Sequence, residues 1–250
     1  MKNTLNSNAV DRLIFALDTA GYEDALGWLD LLCGHVGMFK IGKELFTAAG
    51  PDIVRAVKKR GQKVFLDLKF HDIPNTVARA TEAAVDLGVD MLNVHSLGGS
   101  KMVRDAVDAA AGRSEKSKRE KPLVLAVTVL TSLNDADLSE MGFSKKTEEL
   151  VVHLAKMARD AGASGVVASP LDISLIRRQC GKDFVIVTPG IRGSGEKQGD
   201  DQKRTWSAFE AVKRGADYLV VGRPIRQAKD PLEACRKIVD EIAAGLEAVY

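Results

Sequence analysis

Eight short apolar runs, each followed by a longer stretch of helical character, set the strongest limit on how this chain folds. The runs are Arg12–Asp18, Val36–Ile41, Lys63–Asp67, Met91–His95, Leu123–Val129, Gly165–Ala168, Phe184–Val187 and Tyr218–Val221. They are nearly all apolar rather than alternating, which marks parallel strands covered on both faces. Amphipathic stretches such as Thr76–Leu87, Thr147–Ala161 and Pro231–Val249 lie between them. Glycine followed by Val or Ala recurs where a helix should stop and the next strand begin, at Gly88-Val89, Gly162-Ala163 and Gly215-Ala216. Glycine there relieves the left-handed conformation that closes a helix. Eight βα units of about 30 residues each, with no linker, predict an α/β fold closed as a (β/α)8 TIM barrel rather than an open doubly wound sheet. Residues 1–250 are expected to form that barrel as a single domain.

Charge and cysteine usage narrow the function classes. The chain has 36 Lys and Arg against 34 Asp and Glu, spread throughout, for a formal net charge of +2. That is not the one-sided basicity of a nucleic-acid binder. The one dense charge run, Arg113–Lys121, mixes both signs and reads as a solvated loop. Cys33, Cys180 and Cys235 are scattered and include no CxxC, which argues against a disulfide framework and for a reducing compartment. The first residues, MKNTLNSNAVDR, lack the apolar core of a secretory signal. No apolar run approaches the roughly 18 residues of a membrane span. A cytoplasmic protein with no membrane partner is expected.

In barrels of this type the catalytic groups stand at the C-terminal ends of the strands. The run ends here carry Asp18, Lys40, Asp67 with Lys69, His95, Thr131 with Ser132, Arg192 and Arg223. Few of these ends are apolar. The third run continues as FLDLKFHDIPNT, Phe65–Thr76. Asp67 and Lys69 are two apart, so on a strand they face the same side. Asp72 follows in the loop, and Pro74 suits the first turn of the next helix, where its missing N–H costs nothing. With Lys40 nearby, the result is an alternating Lys-Asp-Lys-Asp array. As a purely structural salt-bridge set it would be expensive to desolvate.

The segment meets D-x-K-x-x-D-I-P-x-T at Asp67, Lys69, Asp72, Ile73, Pro74 and Thr76, and with it the chain resembles the orotidine 5′-phosphate decarboxylases. The resemblance runs through ALD at Ala16–Asp18, KIG at Lys40–Gly42, NVH at Asn93–His95, TVLTS at Thr128–Ser132, TPGIR at Thr188–Arg192, DQKR at Asp201–Arg204 and GRPI at Gly222–Ile225. One departure is Trp206, at a helix start, where the family often has proline.

The resemblance implies that carbon dioxide is removed from C6 of orotidine 5′-monophosphate to give UMP, with no cofactor and no metal. Catalysis then falls to preorganised charge. Lys69 would stabilise the developing carbanion and deliver the proton. Asp67 would lie near the departing carboxylate and fix Lys69, while Lys40 and Asp18 hold ribose hydroxyls. Asp72 and Thr76 would reach into the neighbouring subunit of a homodimer, and Ile73 would contact the substrate. Thr131 and Ser132 would meet the pyrimidine edge. Barrels often bind phosphate with the loops after strands seven and eight. Here those loops hold Pro189 and Arg192, then Gly222 and Arg223. Arg223 would grip the phosphate and Gln202 bridge phosphate to base. The glycines and charges of loop seven read as a lid.

His71 falls between the charged positions and is left out of the array. His95 is open to either a site or a packing role, and His153 is expected on an exposed helix face. Two other readings stand beside the decarboxylase. The magnesium-dependent sugar-phosphate decarboxylases and aldolases share the D-x-K-x-x-D core but place an acidic metal ligand where this chain has Lys40. A non-catalytic phosphate sensor would have no use for the charge array.

Overall fold

The computed structural model describes residues 7–191 and 206–248. Among them, eight strands close into one barrel: β1 (Leu13–Ala16), β2 (Met38–Gly42), β3 (Val64–Phe70), β4 (Met91–His95), β5 (Leu123–Val127), β6 (Gly165–Val167), β7 (Val185–Pro189) and β8 (Tyr218–Val221). Every neighbouring pair is parallel, and β8 pairs with β1 through Leu13 against Leu219 and Ile14 against Val220. The expected strands are all present. β4 and β8 match their expected limits, and the others shift by one to three residues at an end.

The helices between the strands begin and end on recognisable chemistry. Pro74 opens the helix Pro74–Leu87, and Gly88, at φ 77°, closes it in the left-handed region. Gly162 and Gly215 have φ of 90° and 107°, so all three glycine pairs punctuate as expected. Asp230 and Ser207 cap the helices Pro231–Glu247 and Ala208–Lys213 by accepting N–H groups of the first turn. The Arg113–Lys121 run differs from its reading as a loop. Its first half lies in the helix Gly99–Ser117, whose inner face buries Ala110 and Ser114, and the Arg113 guanidinium binds both carboxylate oxygens of Asp86 on the adjacent helix, at 2.7 and 2.8 Å.

Two apolar layers result. One mixes strand and helix side chains and fills the space between the sheet and the outer ring. The other comes from strands alone: Ile14, Ala16, Met38, Phe65, Met91, Leu125, Val187 and Val220. This second cluster is the barrel interior, and its parity predicts what lies above it. Side chains two residues further along share its direction. Those are Asp18 after Ala16, Lys40 after Met38, Asp67 after Phe65 and Asn93 after Met91. An apolar floor therefore carries a polar layer facing the C-terminal mouth. Among the described residues no helix is long and apolar enough to cross a membrane.

Candidate active site

The polar layer is a chain of contacts. Lys40 is 9% exposed, and its ammonium lies 3.0 Å from Asp18 Oδ1 and 3.6 Å from Asp67 Oδ2. Lys69 Nζ donates to Asp67 Oδ1 at 2.6 Å. Asp67 therefore receives two cations, one on each oxygen. Gly42 leaves room for this arrangement, since a Cβ there would sit 3.1 Å from Lys40 Nζ. Gly222, just past β8, packs where a Cβ would meet Ala16 at 3.2 Å and Asp18 Oδ2 at 3.5 Å. The Arg226 guanidinium donates to the Asp18 carbonyl and ties the end of β1 to the start of the last βα connection.

Asp67 and Lys69 do face the same side, but not by simple pleating. β3 advances four residues, from Leu66 to Phe70, while β4 advances two, from Leu92 to Val94. The extra length is a bulge, and within it Lys69 adopts φ 51°. A non-glycine residue held there costs about 1 to 3 kcal/mol and persists only where its surroundings impose it. The surrounding restraint is Asn93, which is fully buried on β4. Its Oδ1 accepts the backbone N–H of Lys69 at 2.8 Å, and its Nδ2 donates to Asp67 Oδ1 at 2.7 Å.

The structure gathers Asp18, Lys40, Asp67 and Lys69, with Gly222 against them. Asp72 does not complete the array within one chain. It is exposed on the rim, its carboxylate accepting the Ile73 N–H at 2.6 Å, and Asp18 takes the fourth place instead. Ile73 and Thr76 are exposed beside it. Thr131, Ser132 and Pro189 line a cleft of about 670 Å³ with Gly190 and the segment Ser169–Asp172, past the ends of β5, β6 and β7. Arg223 opens the short helix Arg223–Arg226 after β8, with Pro224 in its first turn. Arg192, Gln202 and the expected lid lie outside the described residues.

The histidines separate by environment. His71 stacks on His95 with ring centroids 5.3 Å apart. Burial above all, then His71, Lys69 and Lys43, push the His95 pKa down to about 4. His95 Nδ1 accepts the Leu97 N–H, so the imidazole brings no charge towards Lys69 near neutral pH. His153 is on an exposed helix face, as expected.

Three side chains escaped the sequence reading. Asn93 was part of a quoted motif but had no role. Its signal was a lone amide at an inward position of an apolar strand. Arg226 carried no signal beyond its charge. Asp172, after β6, is 9% exposed, and burial followed by the nearby Glu148 carboxylate push its pKa up to about 6.

Comparison with known proteins decides the family. The profile of the Orotidine 5′-phosphate decarboxylase / HUMPS family matches residues 11–238. The chain belongs to this family. It is 56% identical to the orotidine 5′-phosphate decarboxylase of Syntrophus aciditrophicus, over 99% of each chain. It is 54% identical to that of Trichlorobacter lovleyi, over 96% of this chain and 98% of the relative. Among solved structures, the orotidine 5′-phosphate decarboxylase from Lactobacillus acidophilus superposes with a TM-score of 0.82 at 39% identity, covering 92% of this chain and 97% of the other. The likeness spans the barrel and every strand that contributes to the charged layer.

Proposed function

We propose that this chain decarboxylates orotidine 5′-monophosphate to UMP and carbon dioxide, the last step of de novo pyrimidine nucleotide synthesis, with Lys69 as the proton donor. It is a carbon–carbon lyase of the decarboxylase branch of its family. The observation that carries this reading is the unbroken Asp18–Lys40–Asp67–Lys69 contact chain at the barrel mouth. As the C6–carboxylate bond breaks, its electron pair stays on C6 and carbon dioxide leaves. The Lys69 ammonium stabilises that charge in place and then transfers a proton to C6. The neutral amine regains its proton from solvent. The field is built before the substrate arrives, which is how fixed charges lower a barrier without reorganising. Asp67 aims Lys69 through the 2.6 Å ion pair. Lys40 and Asp18 take the ribose hydroxyls, Thr131 and Ser132 the pyrimidine edge, and Arg223 the phosphate. Pro189, Gly222, Arg192 and Gln202 complete the substrate contacts.

The working form is a homodimer, each subunit lending Asp72 and Thr76 to the other's site, with Ile73 among the substrate contacts. Apolar side chains support it: Ile73 is 66% exposed, Met141 54%, Leu130 38% and Leu97 36%. They follow three consecutive strands, β3, β4 and β5, so in a parallel barrel they share one rim. The metal-dependent reading of the family is disfavoured by Lys40, whose buried ammonium stands where an acidic ligand would be needed. The test is loss of orotate absorbance with EDTA-treated protein. Wild type converts the substrate, and Lys69→Ala loses nearly all turnover because cation and proton donor go together. Activity in Lys69→Ala above about a tenth of wild type would refute the role of Lys69. No conversion by wild type, with activity on a sugar phosphate once magnesium is added, would move the chain to the metal-dependent branch.

A further inference from the structure

We propose that Asn93 is a positioning residue for the decarboxylation: its side-chain amide joins the Asp67 carboxylate to the Lys69 backbone and so aims the Lys69 ammonium at the reacting carbon. This rests on the reading that Lys69 and Asp67 carry the chemistry. Asn93 is 0% exposed, so it acts through its neighbours and not on the substrate. A buried amide in an otherwise apolar strand is costly unless both halves are bonded. Here both are, and to the two residues that matter. The orientation of the amide follows from its partners, because an ionised carboxylate can only accept and a backbone N–H can only donate.

Each bond does a separate job. The bulge in β3 removes the Lys69 N–H from the ladder with β4, and Asn93 Oδ1 takes it at 2.8 Å. That contact restrains the left-handed backbone from which the Lys69 side chain springs. Nδ2 holds Asp67 Oδ1 at 2.7 Å, the same oxygen that receives Lys69 Nζ at 2.6 Å. The carboxylate is thus fixed by Asn93 from β4, Lys69 from β3 and Lys40 from β2. Without the amide, two lysines alone would set its rotation, and the strained backbone would lose its anchor.

Asn93→Asp separates positioning from mere folding. When protonated, the introduced carboxyl group can donate to Asp67 and accept from the Lys69 N–H, reproducing the amide's pattern. When ionised, it sets two carboxylates at hydrogen-bond distance, which raises the pKa at which the shared proton is lost. The charged groups facing it are Lys40 and Lys69, which oppose that rise, and Asp18 behind Lys40, which supports it. His95, two residues along β4, stays neutral above its depressed pKa and adds no charge.

The experiment measures kcat and KM for orotidine 5′-monophosphate from about pH 5 to pH 9, a window wide enough for a buried carboxyl raised by a few units. Wild type, Asn93→Ala, Asn93→Asp and Lys69→Ala are run in parallel. Asn93→Ala is expected to lose about 100-fold in kcat, the effect of a small misplacement of a reacting group, with KM changed less than about threefold. Asn93→Asp is expected to regain activity as pH falls, whereas Asn93→Ala follows the wild-type profile at a lower level. The proposal is overturned by Asn93→Ala retaining kcat within about threefold of wild type, or by Asn93→Asp tracking the wild-type profile. Should Asn93→Ala not fold, the Asn93→Asp profile decides alone. If Lys69→Ala is also active, the reading of the site itself has failed; if Lys69→Ala is dead and the Asn93 variants are not impaired, only the present proposal falls.

Discussion

Replacing Asp172 by Asn is expected to stabilise the protein, and by an amount that depends on pH. Asp172 lies at the end of the β6 connection, lining the cleft with Thr131, Ser132 and Pro189. Burial, then Glu148, raise its pKa from 3.8 to about 6, while a hydrogen bond from the Ser169 backbone pulls the other way. The folded state therefore prefers the protonated form more than the unfolded chain does. The penalty for ionisation is absent below pH 3.8, grows between 3.8 and about 6, and is complete above that. A shift of about two units at 1.36 kcal/mol each gives an upper figure of about 3 kcal/mol at pH 8. Asn has nearly the same shape and can still accept from Ser169. No cap is lost, because the Asp172 side chain makes no cap hydrogen bond to the helix Ile173–Cys180. A gain of about 1 to 3 kcal/mol corresponds to a rise of roughly 3 to 9 °C in melting temperature for a domain of this size. Melts at about pH 8 and pH 5 provide the check, and the gain at pH 5 should be roughly half that at pH 8. An equal gain at both, or a loss at pH 8, would refute the assignment of the strain to an ionised buried carboxylate. A fall in turnover accompanying the gain would mark Asp172 as a costly charge that the cleft uses.

Arg223→Ala should raise KM for the phosphorylated substrate by about 10- to 100-fold, the value of one charge-assisted hydrogen bond, with a smaller effect on kcat. An unchanged KM in steady-state kinetics would count against Arg223 as the phosphate ligand. Ile73→Glu puts a charge on the exposed rim and should shift the protein towards a monomer in sedimentation, with activity falling in parallel. A fully active monomer would show that Asp72 and Thr76 are not shared between subunits.

The fold was legible because parallel strands buried on both faces read as uninterrupted apolar runs, and glycines marked the helix ends between them. The strand-end rule then found Asp18, Lys40, Asp67 and Lys69 before any geometry was known. Other features depended on pairing, which a single strand does not reveal. The bulge in β3 exists only relative to β4, so Lys69 looked like an ordinary alternate residue. Asn93 matters because it satisfies a backbone N–H that the bulge releases, and nothing local to β4 announces that. The Arg113–Lys121 run is largely exposed, as expected, and what its charges did not reveal is that its first half ends the helix Gly99–Ser117. Asp172 drew no notice since a carboxylate in a polar connection is ordinary until the connection is buried. Asp72 follows the array closely in sequence, and its loop turns it to the exposed rim, a position compatible with the expectation that it serves a neighbouring subunit.

The floor of Ile14, Met38, Phe65, Met91, Leu125, Val187 and Val220 makes the barrel a blind well. Under the proposed function, water, substrate and both products would share the opening at the C-terminal mouth. If carbon dioxide forms beside Asp67, as proposed, that floor gives it no exit below. On that reading, departure of the gas, departure of UMP and return of the proton to Lys69 would all use the C-terminal mouth of the barrel.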